Sequence, residues 1–311
     1  MSNFAALKKS SGSLDRLSKE IEKLNSPTTE KSGDDRFWQP EVDKSGNGMA
    51  IIRFLPVSEA DGDEGLPWIR VFNHGFKGPG GKWYIENSLT TLNQKDPVSE
   101  YNTYLWNAST DDNSPQRKQA RTQKRRLTYI SNIFIVSDSK NPENEGKVFL
   151  YRYGKKIFDK ISEAMHPPFD DEGRSADHPK YNPTNAFNPF DLWNGANLKL
   201  RIRQVDGYRN YDMSVFDAPS PLSGDDSKLE AIWKKQYSLK EFLDPKNFKS
   251  YDELKSKLNS VLELDDVPVK SVKPKPDVFE SAAKRQSVSS QDFEMDDDDE
   301  DLKAFKALAD D

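Results

Sequence analysis

Cysteine is absent from the chain. That removes disulfide scaffolding, thiolate chemistry, and cysteine-ligated zinc or iron–sulfur clusters, so any metal would need histidine or carboxylate ligands. Histidine is scarce as well: His74, His166 and His178 are the whole supply. Loops separate the three, and no Gly-x-Ser-x-Gly occurs, so neither a three-histidine metal site nor a hydrolase triad is signalled. No apolar run approaches the roughly 18 residues of a membrane span. The opening MSNFAALKKSSGS has no apolar stretch of signal-peptide length, and a soluble, intracellular protein is expected. Apolar residues make up only 34% and charged residues 32%, against about 45–50% (glycine included) and about 25% in ordinary globular chains. Part of the 311 residues must therefore stay solvated, around one compact core.

What is present is unevenly placed charge. The net −6 conceals a local −8 over residues 292–311, so that everything before it is close to +2. Between 115 and 160, twelve Lys and Arg face four acids. A basic face on a folded body, with an acidic tail on a tether, is the first functional signal.

The chain divides by composition. Residues 1–25 form an arm in which Lys8, Lys9, Ser10 and Ser11 precede a short helical stripe of Leu14, Leu17, Ile21 and Leu24. Such a helix is too short to be stable alone in water. A core over 26–264 follows, with strands expected at 49–55, 68–73, 82–86, 127–136, 148–153 and 198–205. The last alternates Leu198, Leu200, Ile202 with Lys199, Arg201, Arg203, a period of two with one basic face. A helix is expected over 155–165, and Ser250 to Glu253 reads as a capping box opening a helix with Leu254, Leu258, Val261 and Leu262 on one face, packed back on the barrel. Mainly antiparallel curved strands with one interposed helix predict a mainly β fold with peripheral helices, an OB-type core. Two polar insertions, 87–120 and 166–192, are long for loops and are expected to be functional or disordered. Prolines and serines mark 265–291 as a flexible linker. In the disordered acidic tail, Asp296, Asp297, Asp298 and Asp299 precede Leu302, Phe305 and Leu308 at helical spacing, a segment suited to folding on a protein partner.

The chemistry-bearing pattern lies in the core. Lys124, Arg125 and Arg126 open the strand that carries Tyr129; Tyr151, Arg152 and Tyr153 are followed by Lys155 and Lys156; Tyr208, Arg209 and Tyr211 follow the alternating basic strand. Cations that track phosphates, interleaved with rings on which unstacked bases lie, suit sequence-tolerant binding of a single strand, at about 1–3 kcal/mol per stacked base. The bland alternative is that the rings fill the barrel. Gly75 to Lys82 (GFKGPGGK) fails as a phosphate loop, because Gly81 stands where lysine is required and Trp83 where a magnesium-binding hydroxyl should be; a hairpin turn is expected. Asp170, Asp171 and Glu172 are consecutive in a polar loop, a poor arrangement for a two-metal nuclease.

The segments AIIRFLP (50–56), FNHGF (72–76), GKWYIE (81–86), KRRLTYISNIFIV (124–136), PENEGKVFLYRYGKKIFDKI (142–161), WNGAN (193–197) and LKLRIRQVDGYRNYD (198–212) give the chain its resemblance to the helix-destabilising, single-stranded-DNA-binding proteins of T-even-type phages. The resemblance implies a non-enzymatic protein in the cytoplasm of the infected cell, serving DNA replication, recombination and repair. It implies that the arm's Lys8, Lys9, Ser10 and Ser11 drive cooperative self-assembly and that the acidic tail recruits replication proteins. It also implies that Arg53, Lys124, Arg125, Arg126 and Arg152 line a phosphate path, with Tyr129, Tyr151, Tyr208 and Tyr211 near the bases. The family's structural zinc uses one His and three Cys; here His74 matches, but Ser88, Asp96 and Ser99 stand at the other positions. No metal or other cofactor is expected, and Trp83, Tyr84, Tyr101, Tyr104 and Trp106 are expected to hold the first insertion. The alternative reading is an acidic-tailed interaction scaffold with little direct role on DNA.

Overall fold

The structure, a computed structural model, describes residues 34–167, 185–205 and 207–264. The arm, the linker, the acidic tail and residues 168–184 of the second insertion, Asp170 to Glu172 and His178 among them, lie outside the described residues.

The strands are β1 (Phe37–Trp38), β2 (Gly48–Phe54), β3 (Ile69–Lys77), β4 (Trp83–Asn87), β5 (Arg126–Asp138), β6 (Val148–Tyr153), β7 (Leu198–Val205), β8 (Tyr208–Asn210) and β9 (Val215–Phe216). They form a nine-stranded sheet whose main path runs β1-β6-β5-β2-β7-β8, with β3 and β4 joined through β5 and β9 on β7. Most pairs are antiparallel, as expected. The exception is the β1–β6 pair, which is parallel.

Alternation sorts the side chains. Ala50, Ile52 and Phe54 of β2, Ile133 and Ile135 of β5, Tyr151 and Tyr153 of β6, and Leu198, Leu200 and Ile202 of β7 share one buried cluster. Helix α3 (Lys155–Met165) closes this cluster with Ile157 and Ile161. On the opposite face, Leu150, Ile130, Ile69 and Val71 pack against Leu239 and Phe242, so the segment that follows helix α4 (Asp226–Trp233) covers the back of the sheet.

The first insertion is ordered structure rather than a long loop. It contains α1 (Pro97–Asn107) and α2 (Pro115–Thr122). Each opens with a proline behind a capping side chain: Asp96 accepts from the backbone N–H of Val98 and Ser99, and Ser114 from that of Arg117. Proline costs nothing at that position because its missing N–H would be unpaired anyway. Of the aromatics expected to hold this segment, Tyr84 is fully buried and stacks on Phe76 at 5.0 Å, whereas Trp83 and Tyr104 are exposed. Tyr101 is half-buried, and Trp106 lies beneath the Arg117 guanidinium at 4.4 Å.

Helix α5 (Tyr251–Leu262) opens with the expected capping box. It buries Leu254, Leu258, Val261 and Leu262 in a second cluster with Phe76, Tyr84, Leu89 and Val98, so it packs on the β3–β4 hairpin and α1 and not on the cluster beneath α3. The contact is close: a Cβ on Gly78 would lie 2.0 Å from the Val261 carbonyl oxygen. GFKGPGGK is thus the turn of this hairpin, with Gly81 at φ +81°.

Candidate nucleic-acid interface

Strand register places the expected tyrosines inside. Tyr129 pairs with Tyr153 and Ser131 with Tyr151 across β5 and β6, all on the face beneath α3. Tyr151 is 3% exposed and packs edge-on against Trp38, while the Tyr153 hydroxyl shares a 2.8 Å hydrogen bond with Ser131 Oγ. Tyr151 is therefore a core residue, and its expected place beside the bases does not fit this burial. Tyr129, at 6%, is the outermost of the three: its ring lies flat on Phe158 of α3, centroids 4.0 Å apart. Burial pushes the Tyr129 hydroxyl pKa up, against the pull of Arg70 and Lys155 nearby.

Arg53 departs furthest from expectation. Alternation points it away from the Ala50–Ile52–Phe54 face, and it is fully buried. Its Nε donates to Asn197 Oδ1 at 2.9 Å, Nη1 to the Asp191 carbonyl at 3.2 Å and Nη2 to the Ser220 carbonyl at 2.7 Å. Burial opposes its charge, and Asp191 favours it. A Cβ on Gly195 would stand 2.7 Å from Nη1, so WNGAN is the receptacle for this guanidinium. Arg53 cannot line a phosphate path from there; it ties β2 to the segment before β7.

Arg152 is exposed but lies on the opposite face of β6 from Tyr151 and Tyr153, with its guanidinium over the Phe37 ring at 3.8 Å. The structure does not bring it to the tyrosine side. Arg126 begins β5 on that same opposite face, its guanidinium 3.1 Å from the Cβ position of Gly75. Tyr208 sits half-buried on the β7–β8 hairpin, while Tyr211 packs against the cluster beneath α3. Lys160 Nζ donates to the Asp212 carbonyl at 3.0 Å, linking α3 to the residue after Tyr211.

What the structure does assemble is a strip on β3, β5 and α3. Phe72 pairs with Leu127 and Arg70 with Tyr129, two steps of one register. Arg125 lies over the Phe72 ring at 4.3 Å. Beyond Tyr129 come Phe158 and then Trp68, which packs edge-on against Phe158 at 5.6 Å and against the buried Phe190 at 5.2 Å. Arg125, Arg70 and Lys155 are exposed along this strip, with Lys155 3.0 Å from Asp159; Lys124, which precedes Arg125, is exposed, and Phe72, Trp68 and Phe158 are half-buried. Half-buried rings have one face held and one edge or face open, which suits a stacking platform. Trp68, Arg70, Phe72 and Phe158 were absent from the expected set. The period of two over 68–72 contained the signal, since it puts Trp68, Arg70 and Phe72 on one face.

At the zinc position of the resembled family, His74 Nδ1 donates to the Gln123 carbonyl at 2.9 Å, and Nε2 lies 3.2 Å from Asp96 Oδ1 without the geometry of a hydrogen bond. Asp96 also accepts from Val98 and Ser99 on Oδ1 and from Leu89 on Oδ2. Burial works to raise its pKa, but His74 and these N–H donors prevail and bring it down to about 2. Ser88 Oγ is engaged with Thr90. These residues do not fit a tetrahedral zinc: one histidine faces a carboxylate whose oxygens are already occupied by donors.

A strip of cations and half-open rings on a β-sheet is the arrangement that the class of nucleic-acid-binding β-sheet proteins uses. The comparisons give the family. Residues 46–262 match the model described as gp32 DNA binding protein like, and the chain belongs to that family. It is 37% identical to the single-stranded DNA-binding protein of Enterobacteria phage T4 over 250 residues, 79% of this chain and 76% of that protein. It is 38% identical to the protein of the same name from Enterobacteria phage T2, over 74% of this chain and 71% of that one. A 72-residue stretch is 46% identical to the single-stranded DNA-binding protein of Escherichia phage SV14, covering 22% of this chain and 60% of that protein. Among the described residues, no helix is long and apolar enough to cross a membrane.

Proposed function

We propose that this chain binds single-stranded DNA, as its relatives' names say of them, and that it does so without sequence preference and without chemistry on the strand, along an OB-type core formed by the sheet. The observation that carries the reading is the strip in which Arg125 over Phe72, Arg70 beside Tyr129, and Phe158 against Trp68 succeed one another on one face. Arg and Lys neutralise phosphates there, and Trp68, Phe72 and Phe158 offer π-faces to unstacked bases. Tyr208 and Tyr211 extend it towards the β7–β8 hairpin. In the same reading the protein serves phage replication, recombination and repair, with Lys8, Lys9, Ser10 and Ser11 coupling neighbours on the strand and the acidic tail, through Asp296 to Asp299 and Leu302, Phe305 and Leu308, engaging partner proteins.

Titration of intrinsic tryptophan fluorescence with oligo(dT) at several salt concentrations tests it. If about four phosphates are neutralised, log K falls with log salt at a slope near −3, from roughly −0.7 per contact on single strands. Binding that ignores salt, or that prefers duplex to oligo(dT), would overturn the reading.

A further inference from the structure

Gln123 is the point at which α2 hands over to β5, and its carbonyl is held from two sides. His74 Nδ1 on β3 and Asn102 Nδ2 on α1 each donate to it at 2.9 Å. Lys124, Arg125 and Arg126 follow at once. The far side of the His74 ring rests on Asp96, which is in turn fixed by the N–H groups of Leu89, Val98 and Ser99. His74 and Asp96 are each 1% exposed, so water does not compete for these contacts. Two elements, β3 and α1, therefore converge on one backbone oxygen at the root of the basic turn.

We propose that His74, braced by Asp96 and joined by Asn102, is a positioning residue for the nucleic-acid face: it fixes the Gln123 carbonyl and so the point from which Lys124 and Arg125 project towards phosphates, without a metal ion. The inference rests on the single-stranded-DNA reading above. Consecutive like charges repel, and a cluster of them left on a loose loop must be ordered when a strand binds, at a cost in affinity. A turn whose root is pinned in advance avoids that cost. The hub occupies the position of a metal knot with two hydrogen bonds to the Gln123 carbonyl and the His74–Asp96 contact, which explains how a chain without cysteine keeps the turn in place.

The two ring nitrogens can be tested apart. His74→Asn keeps an amide donor near the place of Nδ1 and loses the reach to Asp96, whereas His74→Gln keeps the reach to Asp96 and leaves the Gln123 carbonyl to Asn102 alone. Both variants should melt at a lower temperature than the parent. Only His74→Gln should make the salt dependence of oligo(dT) binding shallower, by about 0.7 to 1.4 in slope, the equivalent of one or two phosphate contacts. Asn102→Ala, half-buried at the edge of the hub, should shift the slope the same way with a smaller change in melting. Excess EDTA should alter neither slope nor melting of the parent. Equal slopes in parent and all three variants would reduce the hub to a structural brace and overturn the proposal. Binding lost in EDTA and restored by Zn²⁺ would overturn its metal-free part. A parent that fails to bind oligo(dT) at all overturns the functional reading itself, and is recognised before any variant is compared.

Discussion

Arg53 and Arg125 are both arginines on the sheet, and both fall in segments that resemble the same phage proteins, yet their guanidinium groups have opposite fates. Arg53 spends its donors on Asn197 and two carbonyls in the interior. Arg125 is exposed and lies over Phe72. A cation in a strand reads the same way in either setting. What separates them is whether carbonyls and an amide oxygen wait on the other side, and in this chain those acceptors come from residues 138 to 167 positions away.

The comparison can be broken most forcefully at Arg53. Arg53→Ala should remove about 3 kcal/mol or more of stability, because several buried acceptors lose their donors together. Arg53→Lys should not rescue it, since an ammonium cannot reproduce the planar fork. Thermal or urea unfolding measures this, and a variant as stable as the parent would return Arg53 to the list of candidate DNA contacts. Next in size, Trp68→Ala should weaken oligo(dT) binding by about 1–3 kcal/mol, the value of one stacked base, read by anisotropy of a labelled oligonucleotide. Smaller again, the double change Lys124→Ala, Arg125→Ala should leave stability within about 0.5 kcal/mol, as surface substitutions usually do, while the salt slope becomes shallower by about 1.4. Arg152→Ala, on the other face of β6, should leave that slope where it was. If the double variant and Arg152→Ala behave alike, the strip on β3, β5 and α3 is not the path of the strand.

Much of the frame was legible from residue patterns. Strands β6 and β7, helix α3 and the capping box at Ser250 fall where period and capping chemistry put them, because each is set by local alternation or by a side chain three residues from its acceptor. The first insertion was less legible: α2 presents few apolar residues, and what marks both helices is a proline behind Asp96 and behind Ser114. The site was legible as a kind of chemistry and less so as a set of residues. Tyr129, Tyr151 and Tyr153 share a face with Trp68, Arg70 and Phe72 only once the pairing of β3, β5 and β6 is known, and it is α3 lying over part of that face that divides core rings from open ones. Burial from such a distant element leaves no mark in local spacing.

The fit of the Arg53 guanidinium against Gly195 has a bearing on how this chain can be recombined with its relatives. Because one partner needs the other to have no side chain, a crossover placed anywhere between them joins halves that must have been compatible beforehand. Chimeras cut outside the pair should tolerate donor sequence more freely than those cut within it, and shortening position 53 alone would not admit a side chain at 195, because the backbone carbonyls of Asp191 and Asn188 also crowd that space.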